Sequence, residues 1–567
     1  MDCKEMILSD EYADLILDFP VGGSAPSQSG NGEYCVLPVT AEQQIVYTPR
    51  NSRQRPDLDE YAYRYMPKLY GLMQFSFDPI SLTESGILSV QNPPLSLTGK
   101  GVILAFVDTG IDYRNEVFQR PDGSSRILAL WDQTIQSGIP PEGFLYGSEY
   151  LGGEIDRALQ SPNPYEVVPS RDEIGHGTAM AAVACGSALN DGLTFTGAAP
   201  DADIVVVKLK ECKPYLRDYY LISDETAYSE TDVMLGVKYV QQFLVSFERP
   251  VVLCLGIGTN WGDHTGSSPL ARYLSALATR RSMGIVVCGG NEGNAAHHYA
   301  GQIEPADDRR AYQDVEIRVG EGIGGFFLEF WGNALDAYEV EIRSPGGETV
   351  PGTDLGVGQS INYGFVYERT KVSVYNVLVE SDAGEQLITM RFETPTAGIW
   401  RIRVRGRDSV RNGTFHMWLP ITAFLTGETY FLESEPEITL TEPSNGANII
   451  TVSAYNDENN SFFIASGRGY ARNGRIKPDF SAPGVNVSSI RGDYTGSSMA
   501  AAITGGGIAQ FMQWAVVENN REFVTSLDVR NYLIRGAQRE RGISYPDRMW
   551  GYGRLDIEGT FDAIAGV

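Results

Sequence analysis

Uninterrupted apolar runs recur between residues 100 and 290, and helical candidates separate them. A strand buried on both faces of a parallel sheet gives such a continuous run, rich in β-branched residues. The runs are Val102–Val107, Ala202–Val207, Val251–Leu255 and Gly284–Cys288, and the helical candidates are Thr178–Ser187, Asp232–Phe247 and Leu270–Arg281. Because strands alternate with helices, the pattern predicts an α/β fold with a doubly wound, mostly parallel sheet.

The pattern changes at about residue 305 to strict alternation of apolar and polar positions. The alternating segments are Asp314–Val319, Gly325–Trp331, Tyr338–Ile342, Lys371–Val379, Gln386–Phe392 and Trp400–Val404. Short turns and no helices separate them, which predicts a β-sandwich or jelly roll. The α/β pattern returns with a strand at Ile449–Ala454 and helices at Ser498–Val516 and Ser526–Arg535. We therefore predict one α/β domain in two parts, 75–304 and 437–567, with an all-β jelly-roll domain inserted at 305–436.

The first 74 residues form a separate small α+β unit in this pattern. Glu33–Val39 and Gln43–Tyr47 predict strands, and Leu58–Leu69 favours a helix. Two interpretations stay open from the residues alone, a domain of its own at 1–74 or an N-terminal extension of the α/β domain.

Composition narrows the class of protein. Apolar residues make up 42% of the 567 residues and charged residues 21%, as in a globular chain. The net charge of −27 argues against a nucleic-acid partner, since phosphate binding needs clustered Lys and Arg. The start of the chain lacks the basic and apolar regions of a signal peptide, and no apolar run is long enough to span a membrane. The six scattered cysteines favour buried thiols in a reducing compartment.

A serine in a glycine turn is the first candidate for chemistry. Ser498 follows Gly496 and Ser497 and opens a run of small, helix-forming residues. Backbone N–H groups at a helix start can stabilise negative charge there, although such a serine is ordinarily only a helix cap. Two further segments favour catalysis. Asp108 ends an apolar strand, and His176 stands between two glycines at the start of a helix.

Amide hydrolysis by a serine requires a nucleophile, a base, a carboxylate that orients the base, and a donor for the oxyanion. Ser498, His176 and Asp108 can supply the first three. Asn291 follows a strand and two glycines, and its carboxamide is a candidate oxyanion donor, although an isolated Asn there is ordinarily a turn residue.

The chain resembles the subtilisin-like (subtilase) serine proteases in these motifs. The matching segments are Val107–Gly110, Gly175–Ala181, Gly290–Gly293 and Gly496–Ala500, supported by Thr196–Pro200 and Lys477–Gly484; Ser497 replaces the Thr that most members carry. The resemblance implies a serine endopeptidase with Asp108, His176 and Ser498 as catalytic residues and Asn291 in the oxyanion hole. It also implies that an extended substrate pairs with the cleft walls, formed by Leu255, Gly256, Ile257 and Gly258 on one side and by Gly289 and Gly290 on the other.

Within that family the chain is similar to the Csp proteases of clostridia and related spore-forming anaerobes. The shared segments are Thr83–Ile87, Pro94–Gly101 and Gly258–His264, together with the predicted insertion. The resemblance implies a prodomain at 1–74 that cleaves itself off and can stay bound as an inhibitor. Tyr70–Phe75 is an extended, apolar segment far enough before Asp108 for its end to occupy the active site, so we predict autocleavage after Gln74 and before Phe75. The resemblance further implies a protein substrate, the precursor of a spore cortex hydrolase cut during germination, and an intracellular or spore-associated location.

Two alternatives remain at this point. One is a pseudoprotease that senses a germinant or binds a partner, although such members have lost triad residues that this chain retains. The other is a general intracellular subtilisin-like protease. We expect no metal or other cofactor: calcium binding lacks an acidic loop with clear ligand spacing, and the adjacent histidines His297 and His298 rarely converge on one ion.

Overall fold

The computed structural model of the protein describes residues 2–18, 34–50, 63–73, 75–76, 82–187, 195–223, 225–305, 311–350, 359–407, 409–490 and 492–566. The N-terminal elements are α1 (Cys3–Leu8), β1 (Tyr12–Asp18), β2 (Cys35–Pro38), β3 (Gln43–Pro49), β4 (Leu69–Leu72) and β5 (Phe75–Ser76). Strands β1, β3 and β2 form an antiparallel sheet in that order. A disulfide joins Cys3 to Cys35, so these two are not the thiols that the sequence suggested, whereas Cys185, Cys212, Cys254 and Cys288 are buried free thiols.

The first part of the α/β region contains α2 (Ile87–Gln91), β6 (Ile103–Asp108), β7 (Ile127–Asp132), β8 (Ser148–Leu151), α3 (Gly152–Gln160), α4 (Pro164–Val167), α5 (His176–Cys185), β9 (Asp203–Lys208), α6 (Pro214–Tyr220), β10 (Tyr228–Ser229), α7 (Glu230–Ser246), β11 (Val251–Leu255), β12 (Ile257–Gly258), α8 (Pro269–Leu277) and β13 (Met283–Cys288). The strands predicted from continuous apolar runs are therefore β6, β9, β11 and β13, each within one residue of its predicted start.

The β-rich region contains β14 (His298–Gln302), β15 (Tyr312–Val319), β16 (Gly325–Gly332), β17 (Tyr338–Arg343), β18 (Thr349–Val350), β19 (Gln359–Gly364), β20 (Lys371–Val377), β21 (Leu387–Glu393), β22 (Gly398–Gly406), β23 (Thr414–Trp418) and β24 (Thr429–Phe431). They form two antiparallel sheets, ordered β14-β23-β16-β21-β20-β19 and β18-β17-β22-β15-β24, around one apolar core. Strand β16 is buried on both faces because it lies between the core of the two antiparallel sheets and the α/β region. Phe326 and Phe330 enter the core of the two sheets, whereas Phe327 packs on Tyr219 and Tyr220.

The chain then returns to the α/β region with β25 (Ile450–Asn456), β26 (Ser461–Phe462), β27 (Phe480–Pro483), β28 (Val487–Ser489), β29 (Gly492–Thr495), α9 (Ser497–Met512), α10 (Ser526–Gly536) and α11 (Ile557–Ala565). The central sheet runs β26-β25-β13-β11-β6-β9-β7-β8, with β27 beside β25. Its pairs are parallel except β7 with β8 and β25 with β26. The predicted α/β fold with a mostly parallel sheet is confirmed.

Helix α9 passes through the core, and its small residues permit this. It is buried along its whole length, against α5 and the central sheet. A Cβ on Gly505 would lie 2.2 Å from the Cys254 sulfur, and one on Gly506 would lie 2.3 Å from Ala198 Cβ. Larger residues at these positions would push away the helix that carries Ser498. Across the described residues, no helix has both the length and the apolarity that crossing a bilayer requires.

The segment before the α/β region differs from its prediction. Residues 58–62 of the expected helix Leu58–Leu69 lie outside the described residues, and Tyr63–Tyr65 forms a single 3₁₀ turn. Leu69 instead begins β4, which is hydrogen-bonded between β10 and β12 in a small antiparallel sheet. The partners that make this segment a strand lie more than 150 residues away in the sequence, so no local pattern reports them.

Candidate active site

Asp108 and His176 meet where β6 ends and α5 begins. The Nδ1 atom of His176 lies 2.7 Å from Oδ1 of Asp108, and both side chains are buried. This contact fixes the ring and leaves Nε2 as the other nitrogen. Within the described part of the chain, Nε2 of His176 has no hydrogen-bond partner. A buried imidazole held by a carboxylate at Nδ1 is arranged to accept a proton at Nε2.

Asp172 holds the loop that carries the histidine, a role that sequence reasoning missed. Its carboxylate accepts hydrogen bonds from the Gly175 N–H (2.7 Å), the Thr178 N–H (2.9 Å) and hydroxyl (2.6 Å), and the Thr109 hydroxyl (2.8 Å). Thr109 also accepts the Gly177 N–H at 2.9 Å. These bonds tie the residues around His176 to the end of β6. The available signal was a carboxylate placed four residues before a histidine that opens a helix.

Two glycines allow the backbone to approach this pair closely. A Cβ on Gly177 would lie 2.3 Å from the Gly110 carbonyl oxygen and 3.2 Å from Asp108 Cβ. A Cβ on Gly256 would lie 2.9 Å from Cε1 of His176. A side chain at either position would overlap these neighbours, so the two glycines keep the backbone close to the pair.

Ser498 stands in the first turn of α9, and its turn is locked to the Gly290–Asn291 segment. The Ser497 hydroxyl accepts the Gly290 N–H at 3.0 Å, and Oδ1 of Asn291 accepts the Ser497 N–H at 3.0 Å. Since only the hydroxyl of residue 497 is used, serine in place of threonine preserves the contact. The Asn291 Nδ2 group is buried and, among described residues, unpartnered. It is an N–H donor available beside the nucleophile's turn.

The cleft contains a strand of the chain itself. Strand β4 pairs antiparallel with β12, with Leu72 opposite Ile257 and Gly71 opposite Gly258. The Met73 N–H donates to the Gly256 carbonyl at 3.2 Å. The Ser498 hydroxyl donates to the Met73 carbonyl oxygen at 2.8 Å. The carbonyl group of the peptide bond that follows Met73 therefore lies at the hydroxyl of the candidate nucleophile.

The chain continues along the other side of the cleft. The backbone of β5 pairs antiparallel with β29, with Phe75 opposite Thr495. Gln74, after which the sequence predicts cleavage, lies outside the described residues. The carbonyl at Ser498 belongs to Met73, one peptide bond before the predicted junction between Gln74 and Phe75.

The predicted cleft walls have different roles. A Cβ on Gly258 would lie 3.2 Å from the Met73 Cε methyl, so this glycine borders the methionine side chain. Thr441 packs on both walls, because a Cβ on Gly258 or Gly290 would lie 2.4 or 2.5 Å from its side chain. Sequence reasoning missed Thr441. Of the other predicted wall residues, Leu255 lies in the core of the sheet and the Gly289 carbonyl accepts the Thr441 N–H.

Two buried carboxyl groups, Glu442 and Glu329, have raised pKa values. Burial raises the pKa of Glu442, next to Thr441, to about 8, and the charge of Asp263 acts in the same direction. Burial also raises the pKa of Glu329 on β16 to about 7, against hydrogen bonds from the Gly262 N–H and the Tyr63 hydroxyl. At neutral pH these two groups are substantially protonated.

The adjacent histidines diverge. Nδ1 of His297 lies 2.6 Å from Oε2 of Glu292, whereas Nε2 of His298 lies 3.0 Å from Nδ1 of His416. No cluster of three or more potential metal-ligating side chains occurs within the described residues.

Comparison with known proteins identifies the relatives of this chain. The model of the subtilase family (Peptidase_S8) matches residues 99–313 and 432–553, leaving 314–431 outside the match. The serine protease AprX of Bacillus subtilis (strain 168) is 27% identical over 204 residues, 35% of this chain and 35% of AprX. This match therefore spans about a third of that relative. The solved structure of the Clostridium perfringens CspB protease is similar, with a TM-score of 0.75 and 32% identity, covering 86% of this chain and 97% of that one.

Proposed function

The chain belongs to the subtilase family of serine proteases, and we propose that it is a subtilisin-like endopeptidase whose catalytic triad is Asp108, His176 and Ser498. Asn291 is the proposed oxyanion donor. One observation carries this proposal: the Ser498 hydroxyl lies 2.8 Å from the carbonyl oxygen of a peptide strand that pairs with the cleft.

The proposed reaction begins when the Ser498 hydroxyl turns from the Met73 carbonyl oxygen to His176 Nε2. The oxygen attacks the Met73 carbonyl carbon while Nε2 takes its proton, and Asp108 stabilises the resulting imidazolium. The carbonyl oxygen becomes an oxyanion, for which Asn291 Nδ2 and the Ser498 backbone N–H are suitable donors. The imidazolium then protonates the amide nitrogen of residue 74 as the C–N bond breaks. Water hydrolyses the Met73 ester and restores the free serine.

The first substrate is proposed to be the chain itself, with the N-terminal segment as a prodomain. The supporting observation is that β4, β5 and the Met73 carbonyl already follow the cleft on both sides of Ser498. On this geometry we place the cut between Met73 and Gln74. Cleavage after Gln74, as the sequence predicts, stays the alternative.

A buried ionic cluster supports retention of the prodomain after the cut. Asp14 of β1 is 2% exposed and accepts hydrogen bonds from the hydroxyls of Tyr215 (2.8 Å) and Thr231 (2.7 Å). Lys213 Nζ lies 3.4 Å from the same carboxylate. Burial opposes the charge of Asp14, but Lys213 and Lys210 outweigh it and hold the pKa of Asp14 below its usual value. Separation would break the contact between Asp14 and Lys213 and the hydrogen bonds from Tyr215 and Thr231, which favours a bound, inhibitory prodomain.

Intact-mass analysis of purified wild type and Ser498→Ala tests self-cleavage. We expect two fragments from the wild type and one full-length chain from Ser498→Ala. The fragment masses distinguish a cut after Met73 from one after Gln74, since they differ by one glutamine. A clipped Ser498→Ala chain would show that another protease makes the cut.

For biological role we propose cleavage of the precursor of a spore cortex hydrolase during germination. Similarity to the CspB protease over 86% of this chain supports this choice over a general intracellular protease. The test is incubation of the processed enzyme with a purified cortex hydrolase precursor, with Ser498→Ala as control. One defined cut by the wild type supports the role, and an uncut precursor contradicts it. After removal of the prodomain, labelling of Ser498 by a fluorophosphonate distinguishes this enzyme from a sensor without activity.

A further inference from the structure

The cleft strand carries a glycine at a position that the β-rich region covers. Counting back from the Met73 carbonyl, Gly71 is the third residue before the proposed scissile bond. It is buried and lies in a regular extended strand opposite Gly258. No turn or left-handed conformation therefore requires glycine at this position. The reason lies in what faces it.

Two apolar side chains stand over Gly71. A Cβ at residue 71 would lie 2.7 Å from Cδ1 of Ile421 and 3.2 Å from Cε1 and Cζ of Phe424. Both side chains are almost fully buried, at 1% and 3% exposure. Ile421 precedes the 3₁₀ turn Thr422–Phe424, and Phe424 ends it; this turn follows β23 of the β-rich region. A side chain at the third position thus meets a wall instead of solvent.

That wall is anchored beside the catalytic centre. Oε1 of Glu292, which follows Asn291, accepts the Thr422 N–H at 2.9 Å, and His297 contacts the other carboxylate oxygen. The Phe424 ring stacks on the buried Trp261 ring, with centroids 5.4 Å apart. The Ile421 methyl is the end of a side chain that can rotate. The Phe424 ring cannot move without disturbing Trp261.

We propose that this protease selects glycine as the third residue before the bond it cuts, because Ile421 and Phe424 close that position. The inference rests on the proposed protease function and deepens it by defining a substrate class. Substrates are extended peptides with an apolar residue before the cut and a glycine two residues further back. Alanine is disfavoured, and β-branched residues are excluded.

The test follows self-cleavage in the full-length chain during cell-free synthesis. Gly71→Ala should slow cleavage about tenfold and Gly71→Val about a hundredfold or more, as expected for overpacking a filled site. Ile421→Val removes only the Cδ1 methyl. In this background we expect Gly71→Ala to approach the rate of Ile421→Val alone, while Gly71→Val stays slow because Phe424 remains.

Folding is checked separately with each Gly71 variant in the Ser498→Ala chain, which should still unfold in one cooperative transition above the assay temperature, with a midpoint lowered by the overpacking. Unchanged cleavage of Gly71→Ala and Gly71→Val, failure of Ile421→Val to restore Gly71→Ala, or a wild-type cut after Gln74 would each overturn the proposal. Failure of the proposed function has a different signature, an uncut wild-type chain that fluorophosphonate does not label, and it removes this inference too.

Discussion

The proposed catalytic cluster and the cleft meet at Ser498, yet they are built in opposite ways. The cluster is polar, and its bonds link a few short motifs: Asp172 holds the residues on both sides of His176, and Ser497 is tied to Asn291. The cleft is largely apolar. Its bound strand is β4, which pairs with β12; Thr441 packs on Gly258 of β12, and Ile421 covers Gly71 of β4. These segments lie far apart in the sequence.

Because of this difference, we expect the cluster to determine the reaction rate and the cleft to determine which peptide is cut. Substitutions in the cluster should lower the rate on every substrate, because they act on the nucleophile, the base or the oxyanion. Substitutions in the cleft should change which peptide is cut, or the stability of the fold around it, and leave the reacting groups in place. Matched variants in the two regions distinguish these effects.

The largest effect is expected for Asn291→Ala, which removes the proposed oxyanion donor. Loss of one such donor typically lowers the rate by about 10²–10³. The measurement is the self-cleavage rate in cell-free synthesis, with Thr441→Ser as a cleft control. The control should slow cleavage far less. Equal loss in both variants would contradict the assignment of chemistry to the first region.

A smaller effect is expected for Asp172→Asn, which puts an NH₂ donor among groups that are themselves donors. We expect cleavage to slow about tenfold and the free energy of unfolding to fall by about 1–3 kcal/mol. Asp336 is a matched control, because it accepts the N–H groups of Arg411, Asn412 and Gly413 far from the cluster. Asp336→Asn should lower the free energy of unfolding and leave the cleavage rate unchanged. If both variants retain the wild-type cleavage rate, Asp172 does not position His176.

The smallest effect concerns pH and Glu442. Its folded pKa, raised by burial to about 8, exceeds the ordinary glutamate value of about 4.3. Between these values the folded chain holds a proton that the unfolded chain has released, so stability falls as pH rises through the window. Glu442→Gln removes this contribution. We expect the loss of stability between pH 5 and pH 8 to shrink by about 1–3 kcal/mol.

Thermal unfolding of Ser498→Ala chains, with and without Glu442→Gln, measures this slope without self-cleavage. Glu518→Gln is a control, because the Glu518 side chain is exposed to solvent. An unchanged slope in Glu442→Gln would show that another group carries the pH dependence.

Much of the fold was predictable because its signals are local. A strand buried on both faces must be apolar throughout, so β6, β9, β11 and β13 were evident from the sequence. The alternation in β15 and β22 reflects two sheets that each bury one face. Asp108, His176, Asn291 and Ser498 were evident for a similar reason. Each needs specific neighbours in its own turn, and those neighbours form a motif.

Local sequence patterns do not predict the strands that pair with β4, the position of Thr441, or the wall that Ile421 and Phe424 form over Gly71. The sequence predicts that Tyr70–Phe75 is extended and ends at the active site, but not which strands it pairs with. The pairing of this segment depends on β10 and β12, more than 150 residues away, and the role of Gly71 depends on side chains some 350 residues away. Such contacts leave no periodicity in the segment itself.

The sequence by itself therefore determined the layered fold and pointed to the proposed reacting groups, since helix starts, strand ends and glycine turns are properties of adjacent residues. The tertiary structure decided the register of the segment that the sequence places at the active site: Leu72 lies opposite Ile257, the Met73 carbonyl lies at Ser498, and Ile421 and Phe424 cover Gly71. The physical reason is that a nucleophile is activated by bonds within its own motifs, whereas a substrate is selected by the space that distant segments leave between them.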